Sequence, residues 1–107
     1  MATGLLGQAA LSAATNTSVY VVPATTFTVF SVSVLNRGAT TVAVRVALSA
    51  SATTPTTAEW IEYDVQIAPN GVLERTGLMM NAAKYLVVYA SNANVSVSAY
   101  GIETSTV

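Results

Sequence analysis

Five acids, four bases and no histidine or cysteine limit the chemistry open to this chain before any fold is considered. Imidazole and thiolate are the usual general base, nucleophile and zinc ligands. What remains is Glu59, Glu62, Asp64, Glu74 and Glu103 set against Arg37, Arg45, Arg75 and Lys84. A carboxylate pair for glycoside hydrolysis needs two acids facing one cleft. Glu62 and Asp64 lie two apart on a segment with strand alternation, on the face opposite Ile61 and Tyr63. That is the solvated face, where acids pair across strands with Arg45 or Arg75 rather than activate water. Together with Asn70 the same acids are hard oxygen donors of the kind calcium takes, but their spacing matches no known loop. Glu74 and Arg75 are adjacent and point to opposite faces of a strand, so one of them is directed at a core or an interface and needs a partner there. No catalytic residue, metal ligand or cofactor is expected, and the chain is expected not to be an enzyme.

Aromatic chemistry is the other option. Tyrosine rings stack on pyranose faces while their hydroxyls hydrogen-bond, and Tyr20, Tyr63, Tyr85, Tyr89 and Tyr100 are available. They are spread over four predicted strands, which favours core and interface anchors over a sugar platform, and a carbohydrate-binding module stands as an alternative class.

The elements that position these groups follow from composition and period. Apolar residues make up 52% of the 107 and charged ones only 8%, far below the usual charged share of about a quarter. Ser and Thr must therefore cover the surface, and β-branched Thr suits an exposed strand face. A net charge of −1 with scattered basic residues argues against nucleic acid. The same near-neutral, apolar-rich balance resists self-association poorly, so a homo-oligomer, for instance a closed trimer, is expected. No apolar run approaches the roughly 18 residues that span a bilayer, and the start lacks a basic leader and is interrupted by Gln8; no membrane partner is expected.

Period-two alternation recurs between turn signals. Phe30, Val32 and Val34 alternate with serines up to Asn36-Arg37-Gly38, and Val42, Val44, Val46 and Leu48 follow, which predicts a hairpin. Ser51–Thr57 reads as an exposed loop whose tip is mobile unless a partner holds it. Ile61, Tyr63, Val65 and Ile67 share an inward face, and Pro69-Asn70-Gly71 predicts a second hairpin into Val72–Leu78. Tyr85–Tyr89 and the Val95, Val97, Ala99 alternation complete about seven or eight strands with Ser18–Val22 included. The predicted fold is all-β, an antiparallel β-sandwich of jelly-roll-like kind, over residues 13–107. Its core comprises Phe30, Val32, Val34, Val42, Val44, Val46, Ile61, Tyr63, Val65, Leu86, Val88, Val95 and Val97. Residues 1–12 form an N-terminal arm or an edge strand. Leu5, Leu6 and Leu11, with Trp60, are the expected interface residues.

Asn36-Arg37-Gly38, Ile61-Glu62-Tyr63-Asp64, the run from Pro69 to Gly77 and the ending Val95-Ser96-Val97-Ser98-Ala99-Tyr100-Gly101 resemble short virion structural proteins of tailed phages, marine and cyanobacterial ones included. The resemblance covers nearly the whole chain. It implies a virion location and a β-sandwich on the particle exterior, as a capsid decoration or cement protein bound to the major capsid protein, or as a tail, neck or fibre-associated component. It carries no functional site.

Overall fold

The computed structural model describes residues 2–107. Eight strands form in chain order: β1 (Thr3–Ala10), β2 (Thr17–Val21), β3 (Thr26–Asn36), β4 (Val42–Ser49), β5 (Trp60–Ile67), β6 (Val72–Met80), β7 (Tyr85–Ala90) and β8 (Val95–Ser105), with one 3₁₀ turn at Thr57–Glu59. They make two antiparallel sheets of four, sheet A in the order β1-β8-β3-β6 and sheet B in the order β2-β7-β4-β5. The fold is a β-sandwich.

The pairings β1 with β8, β2 with β7, β3 with β6 and β4 with β5 describe one long ribbon doubled back at the β4–β5 loop. Coiling that ribbon adds the β3–β8 and β4–β7 pairings, which is the jelly-roll wrap. Only β4 and β5 are both consecutive in sequence and paired. The two hairpins predicted at Asn36-Arg37-Gly38 and Pro69-Asn70-Gly71 are therefore corrected: each short link carries the chain from one sheet to the other. Alternation dictates which side chains face the core, not which strand lies alongside.

Asn36 explains why those links can cross. Its side chain is fully buried, and its Nδ2 donates to the carbonyls of Thr40 at 2.8 Å, Ile67 at 3.0 Å and Ala68 at 3.3 Å, while Oδ1 accepts from Gly38 N at 2.9 Å. Its backbone joins the same corner, accepting from Asn70 N and donating to Gly71 O. One amide thus clamps both crossovers.

The core between the sheets is largely valine. Phe30, Val32 and Val34 of β3 and Val95, Val97 and Ala99 of β8 meet Val42, Val44 and Val46 of β4 and Leu86 and Val88 of β7, all buried. β-Branched side chains suit a pleated, doubly covered surface. Among the described residues no buried side-chain polar atom lacks a hydrogen-bond partner.

Residues 3–10 are an edge strand, paired with β8 from Thr3↔Ile102 to Ala10↔Ser96, and not a free arm. Leu11 follows it into the core at 3% exposure, and Leu6 packs against that core half-buried. Leu11 is thus taken up within the domain, leaving Leu5 as the exposed leucine of the three. Gly7 is required where β1 crosses β2, because a Cβ there would lie 2.3 Å from Val19 O.

Candidate functional site

The outer face of sheet B gathers the groups that sequence alternation had dispersed. Strand β5 carries two irregularities against β4: Val44 faces Val65, Val46 faces Glu62, and Ala47 faces Trp60. Two residues of β5, Tyr63 and Asp64, thus oppose the single residue Arg45, as in a β-bulge. Asp64 takes the left-handed backbone that this requires, with φ 55°. Strict alternation beyond the bulge had placed Tyr63 in the core; instead it is 56% exposed, and Ile61 and Val65 are only half-buried.

Arg45 is held from three sides. Its Nε donates to Asp64 Oδ1 at 2.6 Å and its Nη2 to Oδ2 at 3.3 Å. Its guanidinium carbon lies 4.1 Å from the Tyr63 ring centroid and 4.5 Å from that of Tyr89. The carboxylate of Asp64, above all through its hydrogen bond, raises the Arg45 pKa above its ordinary value. Exposed ion pairs and cation–π contacts contribute only about 0.5–1 kcal/mol each, so the arrangement's effect is to fix geometry. Tyr63 in turn meets Trp60 edge to face, with centroids 5.5 Å apart at 74°. A groove of about 330 Å³ is lined by Thr57, Trp60 and Tyr63.

The loop beside this groove is held by hydrogen bonds at both its base and its tip. Glu59 accepts from Thr56 N at 2.8 Å, Ala50 N at 3.0 Å and Ser49 Oγ at 3.2 Å. Asn16, just before β2, donates to Thr53 O at 2.9 Å; since β7 lies between β2 and β4, this bond draws the loop across β7. Val87 and Ala47 are accordingly fully buried on what would otherwise be an open face.

The remaining acids are also engaged. Arg75 Nη1 reaches Glu62 Oε2 at 2.5 Å, bridging β6 of one sheet to β5 of the other along the sandwich's open side. Arg75 is therefore the inward member of the Glu74-Arg75 pair, and Glu74 accepts from the Tyr100 hydroxyl on the outer face of sheet A. Glu62 and Asp64 do not share a face, since each is turned to a different arginine. Glu103 accepts from the Tyr20 hydroxyl at 2.5 Å and from Ala2 N at 3.0 Å. Burial first, then Glu103, pushes the Tyr20 hydroxyl up to about 12, so it stays a neutral donor. Family models, curated proteins and solved structures give no match to this chain.

Two carboxyls carry a pH prediction. Glu59 is held below the ordinary carboxylate range by the backbone N–H of Thr56 and then Ala50, and Glu103 by the Tyr20 hydroxyl and then Ala2 N–H. A carboxyl whose folded pKa is depressed contributes stability that is present above its unfolded pKa of about 4.3 and is lost as pH falls through the folded value. The melting temperature is expected to hold down to about pH 5 and then decline, more shallowly in Glu59→Gln and Glu103→Gln. An unaltered decline in both variants would remove these groups as its cause.

Proposed function

We propose that this chain is a non-catalytic structural subunit of a bacteriophage virion, decorating or cementing the particle exterior through self-association. The observation that carries the reading is the outer face of sheet A. Cross-strand register sets Ile102 beside Val29 and Val29 beside Met79, with Leu5 beside Tyr100 in the adjoining row. These five side chains are exposed by 54%, 42%, 60%, 58% and 37% in that order. At about 100 Å² each they form an apolar patch on the order of 500 Å², within the range of the largest patch on a typical monomer, which is often a functional surface. Ser31, Ser33 and Ser98 continue the face, with Glu74 beside Ser33 accepting from the Tyr100 hydroxyl, giving an apolar centre with a polar rim, which is the anatomy of an interface.

A standard interface takes about 800 Å² from each partner, of which the patch supplies somewhat more than half. The patch runs from edge strand β1 to edge strand β6, which allows copies to share it around an axis, as in a closed trimer. The phage setting rests on the motif resemblance, with which a jelly-roll subunit is consistent. A tail, neck or fibre-associated position uses the same surface and differs only in where the subunit sits.

Sedimentation at high micromolar concentration should show an oligomer, and Met79→Asp combined with Ile102→Asp should give a folded monomer. A wild-type chain that sediments only as monomer overturns the assembly reading. Antibody labelling of particles carrying this chain then separates shell from tail or neck, and absence of label from intact particles counts against a virion role.

A further inference from the structure

We infer that the groove lined by Thr57, Trp60 and Tyr63 binds one pyranose ring of a glycan, a role that goes beyond assembly and uses the opposite sheet. Its volume of about 330 Å³ lies at the small end of ligand clefts, which span roughly 300–1,000 Å³. Trp60 and Tyr63 meet at 74°, giving one aromatic floor and one aromatic wall. Sugar rings present apolar C–H faces to such surfaces and hydroxyls at their rims, where Thr57 offers a donor and acceptor.

Three features separate this groove from an ordinary exposed aromatic. One face of Tyr63 is occupied by the Arg45 guanidinium 4.1 Å away, yet the residue is 56% exposed, so the ring is braced and still accessible. The brace depends on Asp64, whose left-handed φ of 55° turns its carboxylate to Arg45. The Arg45–Asp64 pair adds no net charge of its own, and the Glu59 carboxylate beside the groove is taken up by Thr56 N, Ala50 N and Ser49 Oγ, so no charged group is left to select an ionic ligand. The Glu59 and Asn16 bonds hold the adjoining loop, so the groove is formed before binding. An extended proline-rich peptide would need aromatic ledges spaced along several residues, whereas this groove has the length of a single aromatic pair.

Trp60 is the only tryptophan and reports directly. The full chain is titrated with soluble oligosaccharides of glucose, galactose, mannose and N-acetylglucosamine, and with oligoproline, to about 10 mM, ten times the Kd of a ~1 mM site. A saturable change in Trp60 emission with at least one sugar is expected. Tyr63→Ala keeps the reporter and should weaken that Kd about tenfold, the equivalent of one lost stacking contact, with unchanged far-ultraviolet circular dichroism. The Met79→Asp, Ile102→Asp variant should bind sugar like wild type, which separates this site from the assembly face. No saturable response to any sugar, a response to oligoproline alone, or a sugar response undiminished in Tyr63→Ala overturns the inference.

Discussion

Asn36→Ala is expected to lower the unfolding free energy by about 3–5 kcal/mol, a large share of the roughly 5–15 kcal/mol typical of a whole domain. The substitution removes four hydrogen bonds at once, those to the Thr40, Ile67 and Ala68 carbonyls and the one from the Gly38 N–H, although Ala68 O keeps its 2.8 Å bond from Gly71 N. A buried polar group left unpaired costs about 1–3 kcal/mol, and the Ile67 bond is fully enclosed. Water can reach part of the corner, which keeps the estimate below the sum of four such losses. Asn36→Asp should be worse, since a carboxylate retains the Gly38 bond but turns an oxygen toward three carbonyls. Urea unfolding followed by circular dichroism measures both. A loss below about 1 kcal/mol in the alanine variant, the net worth of one ordinary hydrogen bond, would mean that the crossovers hold without the clamp.

That clamp also shows where sequence reading stops. Val32, Val34, Val42, Val44 and Val46 are buried as their alternation predicts, because a strand's period of two assigns faces without reference to partners. Pairing is a different question. A short polar link with glycine suits a hairpin and a sheet-to-sheet crossover equally, and what decides at Asn36-Arg37-Gly38 is a buried amide binding a loop more than thirty positions away. The signal was present in one detail: Asn36 falls on the inward parity of Val32 and Val34, where an unpaired polar side chain would be costly.

The candidate site was less legible still. Tyr63 and Asp64 come to one side of Arg45 only because β5 contains an extra residue there, and nothing in Ile61-Glu62-Tyr63-Asp64 marks a bulge, since its positive φ falls on Asp64 and not on a glycine. Asp tolerates that conformation better than most residues, a weak cue. The apolar row on sheet A was hidden for a related reason: Val29, Met79 and Ile102 lie far apart in the chain, and register alone makes them neighbours.

Deleting residues 2–11 should abolish cooperative folding of the isolated domain. The deletion removes the whole pairing of β1 with β8, the Leu11 N to Val95 O bond of 2.9 Å, and the packing of Leu6, Ala9 and Leu11 on the core. The contacts of the strand are set against the backbone entropy that the truncated chain is spared. What decides is β8 behind it: Val95, Val97 and Ala99 are at most 1% exposed, and losing the neighbouring strand opens that layer to water and leaves β8 as a bare edge ready to pair with another chain. Point substitutions divide the two roles of the segment. Leu11→Ser should destabilise the domain by about 2–4 kcal/mol, as large-to-small core changes do, whereas Leu5→Ser should leave the melting temperature nearly unchanged and weaken only self-association. If the truncated domain instead melts at the wild-type temperature and fails only to assemble, the segment is a detachable arm, and its pairing with β8 contributes nothing to the fold.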